Sequence, residues 1–194
     1  MGKKKEQVWE GFFQQYKLHQ ACANDGLRPA MEHIQFKNGY AYASDAHIAV
    51  KAALTAISAL SPEDIEKLNG HYIHSSQWPL LLKYSNIEIG EGVINLIGDN
   101  GVKTVITLRD EVNGITKFPE IEKLFAPEKT DKDASLHAVG FSFKLLNKLR
   151  AAMGLSDKTV LRFTGYAADP IYVKGELSKF IDVQGLIMPM LLDD

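Results

Sequence analysis

"AMEHIQFKNGYAYASDAHIAVKA", residues 30–52, is the most informative stretch of this sequence. Apolar and polar residues alternate on both sides of the dipeptide Asn38-Gly39. Such alternation places successive side chains on opposite faces of a β-strand. Asn-Gly between two alternating runs favours a tight turn in which both central residues have positive φ. The stretch therefore predicts an antiparallel β-hairpin.

The same order of signals occurs in residues 6–55, 70–110 and 135–194. Each region has a strand-like piece, a helix-like piece, and then strands separated by Gly or Asn turns. The first strand-like pieces are QVWEGFF, GHYIHSS and LHAVGFS, and the helix-like pieces are QYKLHQACAND, QWPLLLKYS and FKLLNKLRAAMG. The last of these has the clearest helical period and ends at Gly154. The pattern predicts an α+β fold of repeated β-α-β-β-β units, with a period of about 60 residues.

Two connecting segments separate these regions. In "LSPEDIEKLNG", Ser61 and Asp64 form a capping-box pattern around Pro62, which predicts a short connecting helix. Residues 126–134 are polar and contain proline, as expected for a linker. The predicted organisation is a two-unit domain, a linker and a C-terminal unit, at residues 1–125, 126–134 and 135–194.

Composition restricts the class of protein. The chain has 194 residues, of which 45% are apolar, and its formal net charge is −2. The single cysteine, Cys22, excludes an intrachain disulfide and is predicted to lie in the core, as are Trp9 and Trp78, with a subunit contact as the alternative for Trp9. No apolar run has membrane-spanning length, so the expectation is a soluble cytoplasmic protein without a membrane partner. Binding to nucleic acid would require local basic patches.

No catalytic constellation is apparent. Ser44, Asp45 and His47 lie too close together on one predicted turn to act as nucleophile, base and orienting acid. Asp45 is instead expected to cap that turn through the backbone. His71 and His74 would lie on opposite faces of a strand, which argues against a shared metal ion. We therefore expect no enzyme activity, no cofactor and no metal site.

The end of the sequence, "GLIMPMLLDD", is unusually apolar. A free tail is normally polar and solvated, whereas residues 186–192 are apolar throughout. This segment is therefore expected either to be held against the fold or to bind a partner.

Three motifs resemble the bacterial DNA sliding clamp, the beta subunit of DNA polymerase III. "YAYASDAHIAVKA" (residues 40–52) is similar to the clamp strand that ends in a Thr-Asp-Gly-His-Arg-type turn. "FPEIEKLFAP" (118–127) is similar to the Phe-Pro-Asp segment that closes the middle clamp domain. "GLIMPMLL" (185–192) is similar to the clamp C-terminus, which ends in Val-Met-Pro-Met-Arg-Leu. The motifs occur in the family's order and together cover most of residues 15–192.

This resemblance implies the DNA-clamp (processivity) fold, with helices on one face of antiparallel sheets. It also implies an apolar groove at a domain junction, which receives short peptides from polymerases, the clamp loader and repair proteins. Three positions depart from the family pattern: Ala46 replaces Gly, Ile48 replaces Arg, and Leu191 replaces the penultimate Arg. The groove would therefore be more apolar than the family norm. The matching positions are Ser44, Ala46, His47, Ile48, Pro119, Leu124, Leu186, Met188, Pro189, Met190 and Leu191.

Clamps of this family hold double-stranded DNA loosely, because the helices lining the ring present cations to phosphates without reading bases. The resemblance implies weak, sequence-independent DNA binding here. The matching helices carry Lys17, Lys83, Lys144, Lys148 and Arg150.

The length of the chain leaves the assembly open. A clamp ring resembles a circle of about twelve units, so a chain with three units would close a ring as a homo-oligomer of about four chains. One interpretation is a DNA-associated processivity factor and partner platform. The alternative is a clamp-derived peptide-binding adaptor or competitor that does not encircle DNA.

Overall fold

A computed structural model describes residues 16–110, 117–125, 139–155, 159–162, 169–175 and 183–190. The strands are β1 (His33–Lys37), β2 (Tyr40–Ser44), β3 (Ile48–Ala53), β4 (Tyr72–His74), β5 (Asn86–Gly90), β6 (Val93–Ile97), β7 (Lys103–Thr107), β8 (Thr159–Arg162), β9 (Ile171–Gly175) and β10 (Val183–Ile187). The α-helices are α1 (Leu54–Ile57), α2 (Pro62–Leu68), α3 (Trp78–Leu81) and α4 (Phe143–Ala152). Short 3₁₀ turns occur at Leu18–Ala21, Pro29–Glu32, Ser75–Gln77 and Ile121–Phe125.

Two antiparallel sheets organise these elements. The larger has seven strands in the order β4-β1-β2-β3-β10-β9-β8, and the smaller has the order β5-β6-β7. The pairing of β3 with β10 places Ile48 opposite Ile187 and Ala49 opposite Leu186. Strands from the first and last predicted units therefore share one sheet, while the last three strands of the second unit form their own.

The predicted hairpin at Asn38-Gly39 is confirmed. Asn38 has φ 52° and Gly39 has φ 78°, as a turn of this kind requires. Lys37 pairs with Tyr40 across it. The turn is further held by the Gly39 carbonyl, which accepts a hydrogen bond from the N–H of Leu54 at 2.9 Å.

Alternation along the strands separates two apolar clusters, one on each face of the larger sheet. Ala41 and Ala43 point into the main core, whereas Tyr42 between them belongs to the second cluster. All four α-helices and the smaller sheet contribute buried residues to the main core, so the helices lie on one face as the clamp-like fold class predicted. The second cluster contains Ala30, Tyr42, Ala49, Tyr72, Phe118, Ile121, Phe125 and Leu186.

The helix predicted in QYKLHQACAND is wrong beyond one turn. Only Leu18–Ala21 is helical, as a 3₁₀ turn, and Cys22 is already extended with ψ 154°. The next residues find partners that compete with a helix, because the N–H of Ala23 donates to the Met31 carbonyl at 3.0 Å. Asp25 accepts a hydrogen bond from the N–H of Leu27 at 2.9 Å, which is the turn-forming behaviour that disfavours Asp inside helices.

The strand predicted in LHAVGFS is also wrong in its described part, residues 139–142, where Gly140 makes a single bridge to Met190. Residues 7–13, which carry the predicted strand QVWEGFF, and Trp9 within them lie outside the described residues, as does the linker 126–134.

Several local predictions are confirmed. Ser61 caps α2 by accepting from the N–H of Asp64 at 3.1 Å, with Pro62 as the first helical residue. Cys22 and Trp78 are buried. Gly154, with φ 62°, follows α4. Within the described part of the chain, no helix is long and apolar enough to span a membrane.

Candidate functional site

The turn between β2 and β3 is shaped by its own polar side chains. Ser44 Oγ donates to the Ile48 carbonyl at 2.9 Å and accepts from the N–H of Ala46 at 3.1 Å. Asp45 Oδ1 accepts from the N–H groups of His47 and Ile48, both at 3.0 Å, which confirms the predicted cap. The turn leaves Ala46 and His47 exposed at its tip.

The apolar segment after β10 is held against this turn. The N–H of Met188 donates to the His47 carbonyl at 2.8 Å, and the N–H of Met190 donates to the Gly140 carbonyl at 2.7 Å. Pro189 lies between them and has no N–H to donate. Residues 188–190 are therefore fixed by backbone hydrogen bonds, while the Met190 side chain remains 55% exposed.

The segment 117–125 lies beside β10 on the face of the larger sheet that points away from the main core. Phe118, Ile121 and Phe125 are buried in the second cluster together with Leu186. Leu124 is 43% exposed, and its carbonyl accepts a hydrogen bond from the Tyr172 hydroxyl at 3.0 Å. Pro119 lines a cavity of about 440 Å³ between this segment and the sheet.

The three motifs singled out in the sequence thus meet around the β3–β10 pair. The turn and the apolar end are joined directly, and the Phe-Pro segment joins them through its packing on Leu186. The side chains of Ser44, Ile48 and Leu186 are buried. Ile48 belongs to the main core and Leu186 to the second cluster on the other face of the sheet, so neither is exposed to a ligand. The exposed candidate residues are Ala46, His47, Leu124 and Met190, with Met188 and Pro189 half-buried, and Leu191 lies outside the described residues.

A cluster of charges adjoins the turn. Lys148 Nζ lies 3.2 Å from Asp45 Oδ2, and its side chain is only 28% exposed. Arg28 Nη1 donates to the Asp45 carbonyl at 3.0 Å and lies 3.6 Å from Asp25 Oδ2. Burial raises the pKa of the neighbouring Cys22 thiol, and the Asp45 carboxylate raises it further.

The contact of Arg28 with this turn was not predicted from the sequence, where Arg28 is only a further cation that could add to DNA binding, because no motif links it to a turn 17 residues later. The position of Asp45 opposite Lys148 was missed for the same reason, since 103 residues separate them. A long-range ion pair of this kind leaves no local signal in a single sequence.

The predicted DNA-facing residues fall into two settings. Lys144 and Lys148 line a cavity of about 320 Å³ together with Arg28, Asp45 and His47. Lys17, Lys83 and Arg150 are exposed, and the backbone N–H of Lys17 donates to the Ala151 carbonyl at 3.2 Å, at the end of α4. Among the described residues, no group of His, Cys, Asp and Glu side chains could hold a metal ion.

Comparison of the sequence with protein-family models and with curated proteins finds no match. Comparison of the structure finds bacterial sliding clamps. The DNA polymerase sliding clamp of Pseudomonas aeruginosa is 14% identical with a TM-score of 0.59, and the match covers 99% of this chain and 69% of the clamp. The DnaN sliding clamp of Bartonella birtlesii, solved with griselimycin bound, is 14% identical with a TM-score of 0.61 and the same coverage.

The sliding clamp of Bacillus subtilis gives a similar result, with 13% identity, a TM-score of 0.60 and coverage of 100% of this chain and 67% of the clamp. The chain therefore spans about two-thirds of the length of these clamps. Identity at this level establishes the fold and leaves the activity open. The chain has the α+β fold of the bacterial DNA sliding clamps.

Proposed function

We propose that this chain is a sliding-clamp-like platform that binds partner peptides in an apolar groove and associates weakly with double-stranded DNA. The observation that carries the proposal is the hydrogen bond from the N–H of Met188 to the His47 carbonyl, which joins two distant motifs into one surface. The proposed platform acts through binding rather than through catalysis. The groove comprises the residues named from the resemblance, with Ala46, His47, Leu124 and Met190 as its exposed members.

The chemistry of this surface suits short apolar peptides. Methionine is unbranched and polarisable, so Met188 and Met190 can adapt to different apolar side chains. The fixed backbone of residues 188–190 means that a peptide binds a preformed surface, which reduces the entropy lost on binding. Segments of polymerases, clamp loaders or repair proteins are the partners of the proposed platform.

The test is selection of a random 12-residue peptide library on the chain, followed by fluorescence anisotropy with the selected peptides. We expect Met190→Ala to weaken binding about five- to tenfold, because it truncates an exposed apolar anchor. The matched control is Val105→Ala, which truncates an exposed apolar side chain of β7 and should leave binding unchanged. Equal effects of the two changes, or selection of no peptide, would remove the groove from the proposal.

A second candidate function is an adaptor or competitor that binds the same peptides without encircling DNA. Two observations favour it: the net charge is −2, and Lys148 is half-buried in an ion pair with Asp45. Titration of a labelled 30-base-pair duplex at several salt concentrations separates the candidates. The platform predicts weak binding that falls steeply with salt, whereas the adaptor predicts none.

A further inference from the structure

A cationic cavity lies beside the proposed groove. It has a volume of about 320 Å³ and is bounded by the segment 23–28, the turn 45–47 and the first turns of α4. Arg28, Lys144 and Lys148 contribute three basic side chains to its lining, and His47 contributes an exposed imidazole. Because the whole chain has a net charge of −2, this concentration of cations is a local feature.

The two carboxylates in the cavity are already engaged. Asp45 accepts two backbone hydrogen bonds in its turn and pairs with Lys148. Asp25 accepts the N–H of Leu27 and lies near Arg28. Lys144, in contrast, has no hydrogen bond or ion pair within the described part of the chain, so its ammonium group is available to a ligand.

The start of α4 adds to the positive character of the cavity. The first N–H groups of an α-helix have no acceptor within the helix, and they carry the positive end of its dipole. Ser142, the residue before the helix, makes no side-chain capping hydrogen bond. Ser142, Lys144 and Leu145 all line the cavity, so this uncapped helix start supports the three cations in attracting an anion.

The proposed apolar groove adjoins the cavity. Leu27, which is 81% exposed, and Phe143, which is 76% exposed, are sequence neighbours of Arg28 and Lys144 but are not among the residues that line the cavity. His47, whose carbonyl binds Met188, belongs both to the cavity and to the proposed groove. Cations beside apolar surface fit a peptide that has an acidic residue next to apolar ones. A nucleic-acid backbone would leave the apolar side chains unused.

We propose that this cavity binds the carboxylate of an acidic residue in the partner peptide, with Lys144 as the main contact. The inference rests on the proposed function and specifies its partner, an apolar peptide with an adjacent Asp or Glu. It also assigns Lys144 and Lys148, which the resemblance placed against DNA, to peptide recognition.

The test uses a fluorescein-labelled 12-residue peptide selected on the wild-type chain, and the same peptide with each Asp or Glu replaced by its amide. We expect Lys144→Gln to weaken binding of the acidic peptide about three- to fivefold and to leave the affinity for the amide peptide unchanged. Lys144→Arg should retain the preference for the acidic form because it retains the charge. The matched control is Lys103→Gln, an exposed lysine of β7 that lies outside the groove and the cavity, which should affect neither peptide.

The failures are distinguishable. Selected peptides that depend on Met190 but lack acidic residues, or that bind Lys144→Gln as tightly as wild type, overturn this inference and leave the groove intact. If Lys144→Gln loses duplex DNA binding without a change in peptide affinity, this inference is also overturned, and Lys144 is then a DNA-binding residue. Selection of no Met190-dependent peptide removes the proposed function and this inference together.

Discussion

At the scale of single residues, Ala46 shows how the turn beneath the site is strained. Its φ is 72°, in the left-handed region that residues other than Gly, Asn and Asp rarely adopt. By the resemblance of residues 40–52 to the clamp strand, Ala46 stands where the family pattern has glycine. The Ser44 hydroxyl and the Asp45 carboxylate accept hydrogen bonds from the backbone N–H groups of Ala46 and His47, which hold the turn in this conformation. The neighbouring His47 is thereby kept at the exposed tip.

We predict that Ala46→Gly stabilises the chain by about 0.5–1 kcal/mol. Glycine removes the strain energy of the positive φ at this position. This gain is larger than the free-energy cost of the additional backbone entropy that glycine loses on folding. The exposed Ala46 side chain contributes little packing that the change would remove. Urea unfolding followed by circular dichroism measures the change. Asn38→Gly is the matched control, because Asn38 also has positive φ but belongs to a residue type that tolerates it. An equal gain at both positions would contradict this account.

At the scale of elements, the packing of α4 on β10 depends on the absence of a side chain. A Cβ added at Gly185 would overlap Met153 Sδ and lie 3.0 Å from Leu149 Cδ1. Leu149 lies on the buried side of α4 and Met153 directly follows its last residue, whereas Lys144 and Lys148 lie on the side of α4 that lines the cavity. The glycine therefore sets how closely the helix approaches the sheet, and with it the position of the cationic cavity.

We predict that Gly185→Ala destabilises the chain by about 1–3 kcal/mol, because the methyl group must displace well-packed side chains. Chemical unfolding of the wild type, Gly185→Ala, Met153→Ala and the double variant measures this in a double-mutant cycle. The double variant should lose less free energy of unfolding than the two single variants lose together, because shortening Met153 makes room for the methyl group at position 185. Strict additivity would show that the clash is absorbed elsewhere.

At the scale of the whole molecule, the outer strands of the two sheets are the elements through which several chains could assemble. β4 and β8 are the outer strands of the larger sheet. Part of β4 is covered, because Tyr72 and Arg109 exchange backbone hydrogen bonds of 2.8 and 2.9 Å. β8 in the larger sheet and β5 and β7 in the smaller one are also terminal strands, and none of them pairs with a further strand among the described strands. Open edges of this kind can pair between subunits and close a ring.

We predict that the platform forms a closed assembly of about four chains through such edges. Light scattering after size-exclusion chromatography, over a range of concentrations, measures the mass directly. A mass near four chains that does not change with dilution fits the ring. A monomer or simple dimer would contradict the ring and favour the adaptor that shares the same groove.

Local signals in the sequence were sufficient for features that depend on neighbouring residues. The Asn38-Gly39 hairpin, the Ser61 cap of α2, the Asp45 turn and the amphipathic α4 are each formed by side chains and backbone groups a few residues apart. Periodicity also predicted most strands, because alternating burial is written directly into their residues. The helix predicted near Leu18 failed because the Met31 carbonyl, a non-local acceptor, captured the N–H of Ala23.

Features formed by distant residues required the folded chain. Pairing of β3 with β10, the hydrogen bond between Met188 and His47, and the ion pair between Lys148 and Asp45 join residues more than 100 positions apart. The sequence shows which residues are apolar or charged, but it does not show which distant residues they contact. Many different strand pairings would satisfy the same alternation of apolar and polar residues. Burial of the apolar residues in the main core selects one register, and that register places the proposed groove beside the cationic cavity.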